Sequence, residues 1–369
     1  MKRILYLSRG GFVNGSQRQL YYVVTSLNRD IYEPVVVCRR DGQFVSQLRD
    51  CEVAAEVLGL HPWRKFPAGL SRYVDAKRLV AFARRHKVAL VHSSDLWLNG
   101  YLIWVARRLK VPSILHVRTP VRADEVHKHR CNRATHIVAI SQRIRQNLLG
   151  AEISPEKITV IDDGVDLEVF RAKEHNVNVL RRDFSPAGAV LVGIVGRIDP
   201  SKRQLEFLQA AEQIVRNSTR DATFFVIGEV HSHSYFEKLR RFVSKRGLGR
   251  YVFFVGRRND TAEVLSSLDI VVSLSGGSVM FEAMACGKSV ISAGFSNKED
   301  SVHIQDGRTG LLISSRDNRE LVRALIRLID SPELRRQIGQ QARRWAERKL
   351  SHIKMVDKTQ RLYGQLLRS

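Results

Sequence analysis

The stretch Gly193-Ile-Val-Gly-Arg-Ile-Asp-Pro-Ser-Lys202 lies near the middle of the chain and carries the clearest signal of its architecture. An apolar run of strand length, 189–192, precedes it, and residues 203–215 after it have the spacing of an amphipathic helix. A strand, a tight loop and a helix in this order form the opening of a βαβ unit. Gly196 permits a sharp turn where the strand ends. The stretch therefore predicts a strand that leads through a glycine turn into a helix.

Two cations, Arg197 and Lys202, accompany the predicted start of this helix. A helix N-terminus offers unpaired N–H groups, and two basic side chains beside it neutralise further negative charge, so the combination suits a diphosphate. The alternative is an ordinary solvated loop, because basic pairs are common on protein surfaces and short motifs give false matches. The loop taken alone leaves both interpretations open.

Apolar runs of strand length alternate with helical stretches on both sides of this loop. The predicted strands lie at 4–8, 35–38, 90–92, 113–117, 137–140 and 158–161, and then at 189–195, 223–227, 251–255, 270–274, 289–292 and 311–313. Alternating strands and helices indicate a parallel sheet covered on both faces. Because the pattern restarts after residue 188, it indicates two such sheets.

The sequence thus predicts an α/β protein made of two Rossmann-like, doubly wound domains. We expect the first domain at 1–170, a linker at 171–188 and the second domain at 189–349. Tandem domains of this kind usually bind their ligand in an inter-domain cleft, at the carboxyl ends of the strands.

The chain of 369 residues is strongly basic, with 61 lysines and arginines, 37 aspartates and glutamates, and a net charge of +24. This charge favours anionic partners such as phosphorylated glycolipids, acidic lipid head groups or nucleic acid. No zinc-finger spacing, RNA-binding signature or basic block accompanies it, so we expect no nucleic acid partner. The four cysteines lack paired spacing, which indicates reduced thiols, and no stretch reaches the roughly 20 apolar residues of a spanning helix. We expect a cytoplasmic protein that at most lies on a membrane.

Three motifs resemble those of a known family. They are Asp162-Asp-Gly-Val-Asp-Leu-Glu-Val-Phe170, Val195-Gly-Arg-Ile-Asp-Pro-Ser-Lys202 and Glu282-Ala-Met-Ala-Cys-Gly-Lys288. With these motifs in this order, the sequence resembles the retaining glycosyltransferases of family 4 (glycosyl transferases group 1), of the envelope or lipopolysaccharide type. The resemblance covers nearly the whole chain. It implies the two-domain GT-B fold, with a C-terminal helix within 350–369 that packs back on the first domain.

The resemblance also implies the chemistry: transfer of a sugar from a nucleotide-sugar donor, with retention at the anomeric carbon and with no cofactor or obligatory metal. In agreement, the chain contains no Asp-x-Asp, the pair with which other glycosyltransferases hold a metal. The second domain would bind the donor and the first the acceptor. The donor residues implied in this way are Gly15, Gly196, Arg197, Lys202, Arg257, Ser275, Gly277, Ser278 and Glu282.

Individual roles follow from the matched positions. Arg197 and Lys202 match the family's diphosphate-binding pair and would stabilise charge on the leaving nucleotide, which is often a large catalytic term. Glu282 matches the glutamate that accepts hydrogen bonds from the ribose; its alternative role is a favourable charge near a helix N-terminus. Arg257 lies where the family usually recognises the base. The loop from Gly10 to Gly15, which includes Gly11, would face the diphosphate and the acceptor.

The sequence departs from the family's pattern at two places. The first of two donor-site glutamates is replaced by Leu274, so Ser275, Ser278 or a residue elsewhere substitutes for it, or activity is lost. Arg118 stands where relatives commonly have a histidine, and His116 lies two residues earlier on the same face of the strand. Arg118 could pair with a phosphate or an acidic acceptor, so we expect it at the acceptor site with His116, and among the catalytic residues with Arg197 and Lys202. The alternative is that His116 is a satisfied core residue and Arg118 a surface residue.

Several other stretches have two interpretations. The pairs His127/His129 and His231/His233 resemble metal ligands but lack a third partner, so we expect loop residues and no metal. The segments 61–73 and 104–110 mix aromatic and basic residues, as membrane-interface segments do; for 104–110 a buried Trp104 with solvated charges is the alternative.

The function expected from the sequence is transfer of a hexose-type sugar to a membrane-linked anionic acceptor, such as a lipopolysaccharide core, a related envelope glycolipid or a polysaccharide. The enzyme would act in the cytoplasm at the inner face of the cytoplasmic membrane, in peripheral contact with acidic lipid. The first alternative is a non-catalytic protein of the same fold that binds nucleotide sugar or glycolipid, because the first glutamate is missing. A sugar-nucleotide epimerase is a more distant alternative, since the family-4-like motifs argue against it.

Overall fold

The computed structural model describes residues 1–11, 13, 15–64, 70–171, 178–184, 188–217, 221–293, 303–314 and 317–368. They form two compact units, Met1–Gly164 with His352–Ser369, and Val165–Ser351. Each unit is built on one sheet whose described strand pairs are all parallel. The predicted α/β class, with two Rossmann-like doubly wound sheets, is confirmed.

The first unit holds seven strands, with the order β3-β2-β1-β4-β5-β6-β7 across the sheet. The strands are β1 Lys2–Gly10, β2 Tyr32–Arg40, β3 Ala54–Val57, β4 Val88–Ser93, β5 Ser113–Val117, β6 His136–Ala139 and β7 Ile158–Val160. The helices are α1 Gly15–Ser26, α2 Gln43–Asp50, α3 Ser71–Arg85, α4 Asn99–Leu109, α5 Ala123–Lys128, α6 Gln142–Leu149 and, from the C-terminal end of the chain, α14 His352–Leu366. Successive strand side chains point to opposite faces, so Leu5 and Leu7 pack with α3 and α4, whereas Ile4 and Tyr6 pack with α1 and α14.

The second unit holds six strands in the order β10-β9-β8-β11-β12-β13. The strands are β8 Val190–Val195, β9 Ala222–Ile227, β10 Val252–Gly256, β11 Ile270–Ser273, β12 Ser289–Ser292 and β13 Leu311–Leu312. The helices are α7 Val179–Phe184, α8 Gln204–Asn217, α9 His233–Lys245, α10 Thr261–Ser267, α11 Ser278–Ala285, α12 Asn318–Asp330 and α13 Pro332–Lys349. Apolar groups cover both faces of this sheet as well, which explains why its central strands read as continuous apolar runs.

The boundary between the units differs from the predicted linker at 171–188. The second unit already begins at Val165, because Val165 and Phe170 are buried in its core. Within the predicted linker, α7 is a helix whose Leu180 is fully buried in the same cluster. Residues 172–177 and 185–187 of that segment lie outside the described residues.

Candidate functional site

The order of strands in each sheet locates a point at which the winding of the chain reverses. This point lies between β1 and β4 in the first sheet and between β8 and β11 in the second. In doubly wound sheets a ligand crevice opens there, at the carboxyl ends of the two strands. The motif loop 196–202 follows β8, and residues 275–278 follow β11. The structure thus brings two predicted donor segments to one switch point.

Two glycines, Gly196 after β8 and Gly228 after β9, lie where these neighbouring strands end. The N–H of Gly196 donates to the carbonyl oxygen of Ile227 at 2.9 Å, and Gly228 at the end of β9 follows directly. Gly196 has φ 152° and Gly228 has φ 151°, a conformation that favours glycine. A Cβ on Gly228 would lie 1.9 Å from the carbonyl oxygen of Gly196. The two strand ends can approach this closely because Gly228 lacks a side chain. Gly196 is favoured for its φ instead, since a Cβ there would meet only the Lys202 side chain, at 3.9 Å.

Asp199 organises the loop that carries the two predicted phosphate ligands. Residues Pro200–Lys202 form a short 3-10 turn, and the Asp199 carboxylate caps this turn by accepting the N–H of Ser201 at 2.9 Å. The same carboxylate lies 3.8 Å from the Arg197 guanidinium, which remains 55% exposed. The helix α8 begins only at Gln204, whose side-chain amide donates to the Arg197 carbonyl oxygen at 2.8 Å. Arg197 is therefore held at its backbone while its guanidinium remains open to a ligand.

Lys202 joins the two donor segments. Its Nζ donates to the hydroxyl oxygen of Ser275 at 3.2 Å, and a Cβ on Gly277 would lie 4.0 Å from the same nitrogen. Gly277 immediately precedes α11, so the ammonium group lies close to the residue that leads into a helix N-terminus. Burial lowers the pKa of Lys202, and the neighbouring Arg197 lowers it further, while Asp199 opposes the shift. The negative charge of a bound anion would offset both effects, because it favours the protonated form of Lys202.

Glu282 lies on the second turn of α11 and is 3% exposed. It is close enough to Cys286 for its charge to add to the rise in the pKa of that thiol, which burial chiefly causes. Leu274, where the family has its first glutamate, is also 3% exposed and belongs to the apolar core. Of the two donor-site glutamates of the family, this chain therefore has only the second, Glu282, which is buried.

Arg257 follows β10 at the other side of this sheet edge. Its guanidinium lies 3.8 Å from the Glu229 carboxylate, and the two side chains are 43% and 55% exposed. Arg258 next to it forms a tighter pair with Asp260, at 2.5 Å. In the order β10-β9-β8-β11, Arg257 follows β10, whereas Lys202 follows β8, and β9 lies between those two strands.

The glycine loop of the first unit follows β1 at its switch point. Gly11 is buried with φ 82°, and its carbonyl oxygen accepts the N–H of Phe44 at 3.1 Å. Gly42 packs on the same carbonyl, because a Cβ there would lie 2.7 Å from the oxygen. Gly15 is the exposed first residue of α1. Phe12 and Asn14, within this loop, lie outside the described residues.

Arg118 follows β5 and has a carboxylate of its own chain as partner. Its Nη1 donates to Asp163, and the two side chains are only 10% and 15% exposed. Its Nη2 lies 3.4 Å from Nδ1 of His116. Burial raises the pKa of Asp163, and the guanidinium opposes that rise. Arg118 is thus not the surface residue of the alternative interpretation, and its role toward a substrate stays a prediction.

A buried polar chain continues from His116. Its ring stacks on that of His92, with centroids 5.5 Å apart and planes at 18°. Nδ1 of His92 lies 2.7 Å from the Tyr363 hydroxyl, which lies 2.9 Å from the Tyr6 hydroxyl. Burial, followed by the charge of Arg118, lowers the pKa of His92 to about 3 and that of His116 well below its ordinary value. Both imidazoles are therefore neutral near pH 7.

Sequence reasoning missed four members of this cluster: Tyr6, His92, Asp163 and Tyr363. Asp163 lies within a motif quoted above, and His92 ends a predicted strand. Because the carboxyl ends of parallel strands lie at one edge of a sheet, the sequence could have placed both residues near Arg118. Tyr363 gave no such signal, because it comes from α14 at the far end of the sequence.

No group of three or more histidine, cysteine, aspartate or glutamate side chains lies together as a metal site within the described ranges. His127 lies within α5 and His233 is the first residue of α9, so these two are helical and not the loop residues that the sequence predicts, whereas His129 and His231 lie just outside those helices. Neither pair has gained a third ligand among these residues.

Family models match the two halves of the chain. The model for glycosyltransferase family 4 matches residues 13–169, and the model for glycosyl transferases group 1 matches residues 180–345. The two matches together extend over most of both units.

Curated relatives have related names. A D-inositol 3-phosphate glycosyltransferase of Catenulispora acidiphila is 28% identical over 284 residues, which are 69% of this chain and 65% of that protein. The chain thus spans slightly less than two thirds of the length of that relative. A UDP-Gal:alpha-D-GlcNAc-diphosphoundecaprenol alpha-1,3-galactosyltransferase of Escherichia coli is 23% identical over 98% of this chain and 96% of its own length.

Solved structures share the fold. HepE of Anabaena, in complex with UDP and glucose, superposes with a TM-score of 0.86 over 99% of this chain and 100% of its own, at 20% identity. The lipopolysaccharide outer core galactosyltransferase WaaB gives 0.71 over 96% and 98%, at 17% identity. These likenesses show the fold, which is GT-B. The two family models, which together match residues 13–169 and 180–345, show that the chain belongs to the family 4 (group 1) glycosyltransferases.

Proposed function

We propose that the chain transfers a hexose-type sugar from a nucleotide-sugar donor to a membrane-linked anionic glycan, with retention at the anomeric carbon. The acceptor would be a lipopolysaccharide core, a related envelope glycolipid or a polysaccharide. The observation that supports the donor part most strongly is the contact between Lys202 and Ser275 at the switch point of the second sheet, at 3.2 Å.

The donor chemistry rests on charge. When the bond between the anomeric carbon and the diphosphate oxygen breaks, negative charge develops on the leaving nucleoside diphosphate. Lys202 and Arg197, together with the N-terminus of α11, would stabilise that charge without a metal ion. Glu282, a buried acceptor on α11, would bind the ribose hydroxyls, and Arg257 would lie beside the base.

The missing first glutamate requires a substitute in this proposal. Leu274 is buried and apolar, so the next polar side chain is Ser275, whose hydroxyl contacts Lys202. Ser275 would hydrogen-bond the donor sugar, together with the backbone at Gly277 and Ser278. Arg118, His116 and Gly11 lie at the carboxyl edge of the first sheet, where they would shape the acceptor site.

Two observations support an anionic, membrane-linked acceptor. The net charge of +24 attracts anions, and the printed names of two relatives contain phosphorylated acceptors, an inositol 3-phosphate and a sugar linked to diphosphoundecaprenol. No helix in the described ranges is long and apolar enough to cross a bilayer. We propose peripheral contact with acidic lipid at the inner face of the cytoplasmic membrane.

The test of turnover measures nucleotide release from a panel of UDP-, GDP- and ADP-sugars, with and without extracted envelope glycolipids. We expect release with one donor that depends on the glycolipid. Absence of release with every donor and acceptor pool would refute the enzyme. The proposed contact with acidic lipid would be refuted if anionic vesicles did not retain the protein at moderate salt.

A second candidate function is binding of nucleotide sugar or glycolipid without transfer, which the burial of Leu274 favours. It predicts donor binding that depends on Lys202, together with no nucleotide release in the same panel. The two measurements, made on one preparation, separate the candidates.

A further inference from the structure

Two cavities adjoin at the carboxyl edge of the first sheet. The smaller, of about 270 Å³, is lined by Arg9 and Arg39, each next to the last residue of its strand (β1 and β2), and by Trp97 after β4. It thus lies at the β1–β4 switch point, where doubly wound sheets bind ligands. The larger, of about 500 Å³, shares Trp63, Arg64, Trp97 and His129 with it. We call the two cavities together the basic groove.

Aromatic rings form the walls of the basic groove and are fixed by packing. The Trp63 ring lies edge-on to Tyr101, with centroids 4.9 Å apart, and 6.0 Å from the ring of Trp104. Gly100 makes room for it, because a Cβ there would lie 2.3 Å from the indole. Arg72 donates to the Trp63 carbonyl oxygen at 2.7 Å. Rigid, flat aromatic faces in a cavity of this size suit the apolar C–H face of a sugar ring.

Cations without carboxylate partners form the outer part of the basic groove. Arg64, Arg107, Lys128, Arg130 and Arg133 line the larger cavity. Within the described residues these five form no ion pair, and neither cavity has an aspartate or glutamate in its lining. Burial, and then the charges of Arg64 and Lys128, lower the pKa of His129 beside them, and the Glu125 and Asp95 carboxylates oppose the shift. Crowded cations that have no ion-pair partner favour a ligand with concentrated negative charge, as a phosphate has.

We propose that the basic groove binds a phosphorylated saccharide, with sugar rings against Trp63 and Trp104 and the phosphate against Arg107 and Arg133. Where that saccharide is part of the acceptor, this inference rests on the proposed function. The phosphate would then bind in the larger cavity, whereas Arg9 lines the smaller one. Acceptors that carry a phosphate would therefore be preferred to neutral glycans.

A saccharide fits the groove better than a lipid surface does. A membrane would engage the exposed apolar side chains at the start of α3, Leu70 and Val74, which are 84% and 48% exposed and line neither cavity. The indoles of Trp63 and Trp104 are instead half-buried and face a concave space.

Tryptophan fluorescence of the whole chain can test the proposal directly. Three of the four tryptophans, Trp63, Trp97 and Trp104, line the groove, and only Trp345 lies in the second unit. We expect a saturable change in emission on titration with glucose 6-phosphate at low salt. Glucose should cause no change at the same concentrations, and inorganic phosphate a weaker one. The response to glucose 6-phosphate should persist in Trp345→Phe.

Two double variants that remove the same charge distinguish specific binding in the groove from attraction to the overall positive charge. Arg107→Ala/Arg133→Ala should weaken the binding of glucose 6-phosphate about tenfold or more, because two charged contacts to one phosphate are lost. Arg78→Ala/Arg84→Ala removes the same charge from exposed positions of α3 that line neither cavity, and should bind like the wild type. Equal weakening in both pairs would overturn the proposal.

Acidic vesicles and a donor-site variant provide two further tests. A response to vesicles of acidic phospholipid, with none to glucose 6-phosphate, would assign the groove to a membrane and overturn the proposal. Lys202→Ala should leave the response to glucose 6-phosphate unchanged, and loss of the response in this variant would assign the binding to the second unit and overturn the proposal.

The groove and the proposed transfer can fail separately. If glucose 6-phosphate binds although no donor is turned over, the proposed transfer is refuted while the proposed binding in the groove stands. If donors are turned over and no phosphorylated sugar binds, only the proposed binding in the groove is refuted.

Discussion

At the scale of single residues, the donor segments are held by backbone geometry as much as by side chains. Gly228 lets two strand ends pack closely, and Asp199 caps the turn that carries Lys202. The Ser275 hydroxyl oxygen accepts a hydrogen bond from the Lys202 ammonium group. Each of these groups lies at the carboxyl end of a strand or directly after it. A change that displaces the backbone there should therefore act on donor binding without touching the ligand.

Gly228→Ala provides a test of this packing. We expect the free energy of unfolding to fall by more than about 1 kcal/mol, because the new Cβ meets the Gly196 carbonyl oxygen and φ is unfavourable for alanine. Gly249→Ala is the matched control, since nothing lies within 4 Å of its Cβ position. Urea unfolding of both variants checks the prediction, and equal stabilities of the two would contradict it.

The buried histidines predict a pH dependence. His92 titrates at about 3 in the folded chain instead of at 6.5, so between these values the unfolded state binds the proton and the folded state does not. The free energy of unfolding should consequently fall as the pH falls from 6.5 to 3, with a contribution from His92 that approaches about 1.4 kcal/mol per pH unit. His92→Asn should flatten the dependence by that slope in urea unfolding at a series of pH values. Parallel curves for variant and wild type would count against a neutral buried His92.

At the scale of elements, the last helix is part of the first unit. Met355, Val356 and Leu362 of α14 join the apolar cluster under β1. Tyr363 of the same helix reaches the hydroxyl of Tyr6 at 2.9 Å and Nδ1 of His92 at 2.7 Å. The helix thereby contacts the polar chain that ends at Arg118 and Asp163, so its docking and the order of those side chains are coupled.

Tyr363→Phe should expose this coupling. The substitution keeps the packing of the ring and leaves the Tyr6 hydroxyl and the His92 imidazole, both buried, without their partner. We expect a loss of about 1–3 kcal/mol in the free energy of unfolding, together with faster hydrogen exchange of the α14 amides. Tyr251→Phe, at a position that is 38% exposed, should change neither quantity.

At the scale of the whole molecule, the fold was readable from the sequence because strand–helix alternation is a local pattern. The predicted strands matched those of both sheets except β3, where Ala54–Val57 alternates exposed and half-buried positions at a sheet edge and so shows no apolar run. Contacts between distant parts of the chain were not readable. Arg118 and Asp163 are 45 residues apart, and Lys202 and Ser275 are 73 apart, so only the sheet order brings them together. The predicted linker began at 171, after the true boundary at 164/165. The charged stretch after residue 170 suggested a linker, whereas the burial of Val165 and Phe170 in the second unit depends on contacts with distant residues.

Donor binding, measured by calorimetry with a panel of UDP-, GDP- and ADP-sugars, tests the donor site most directly. We expect micromolar binding of the sugars of one nucleotide, loss of that binding in Lys202→Ala, and unchanged binding in Lys238→Ala, which removes an exposed lysine of α9 in the same unit. Binding of no donor, or binding that Lys202→Ala leaves intact, would show that the β8–β11 switch point does not hold the nucleotide diphosphate.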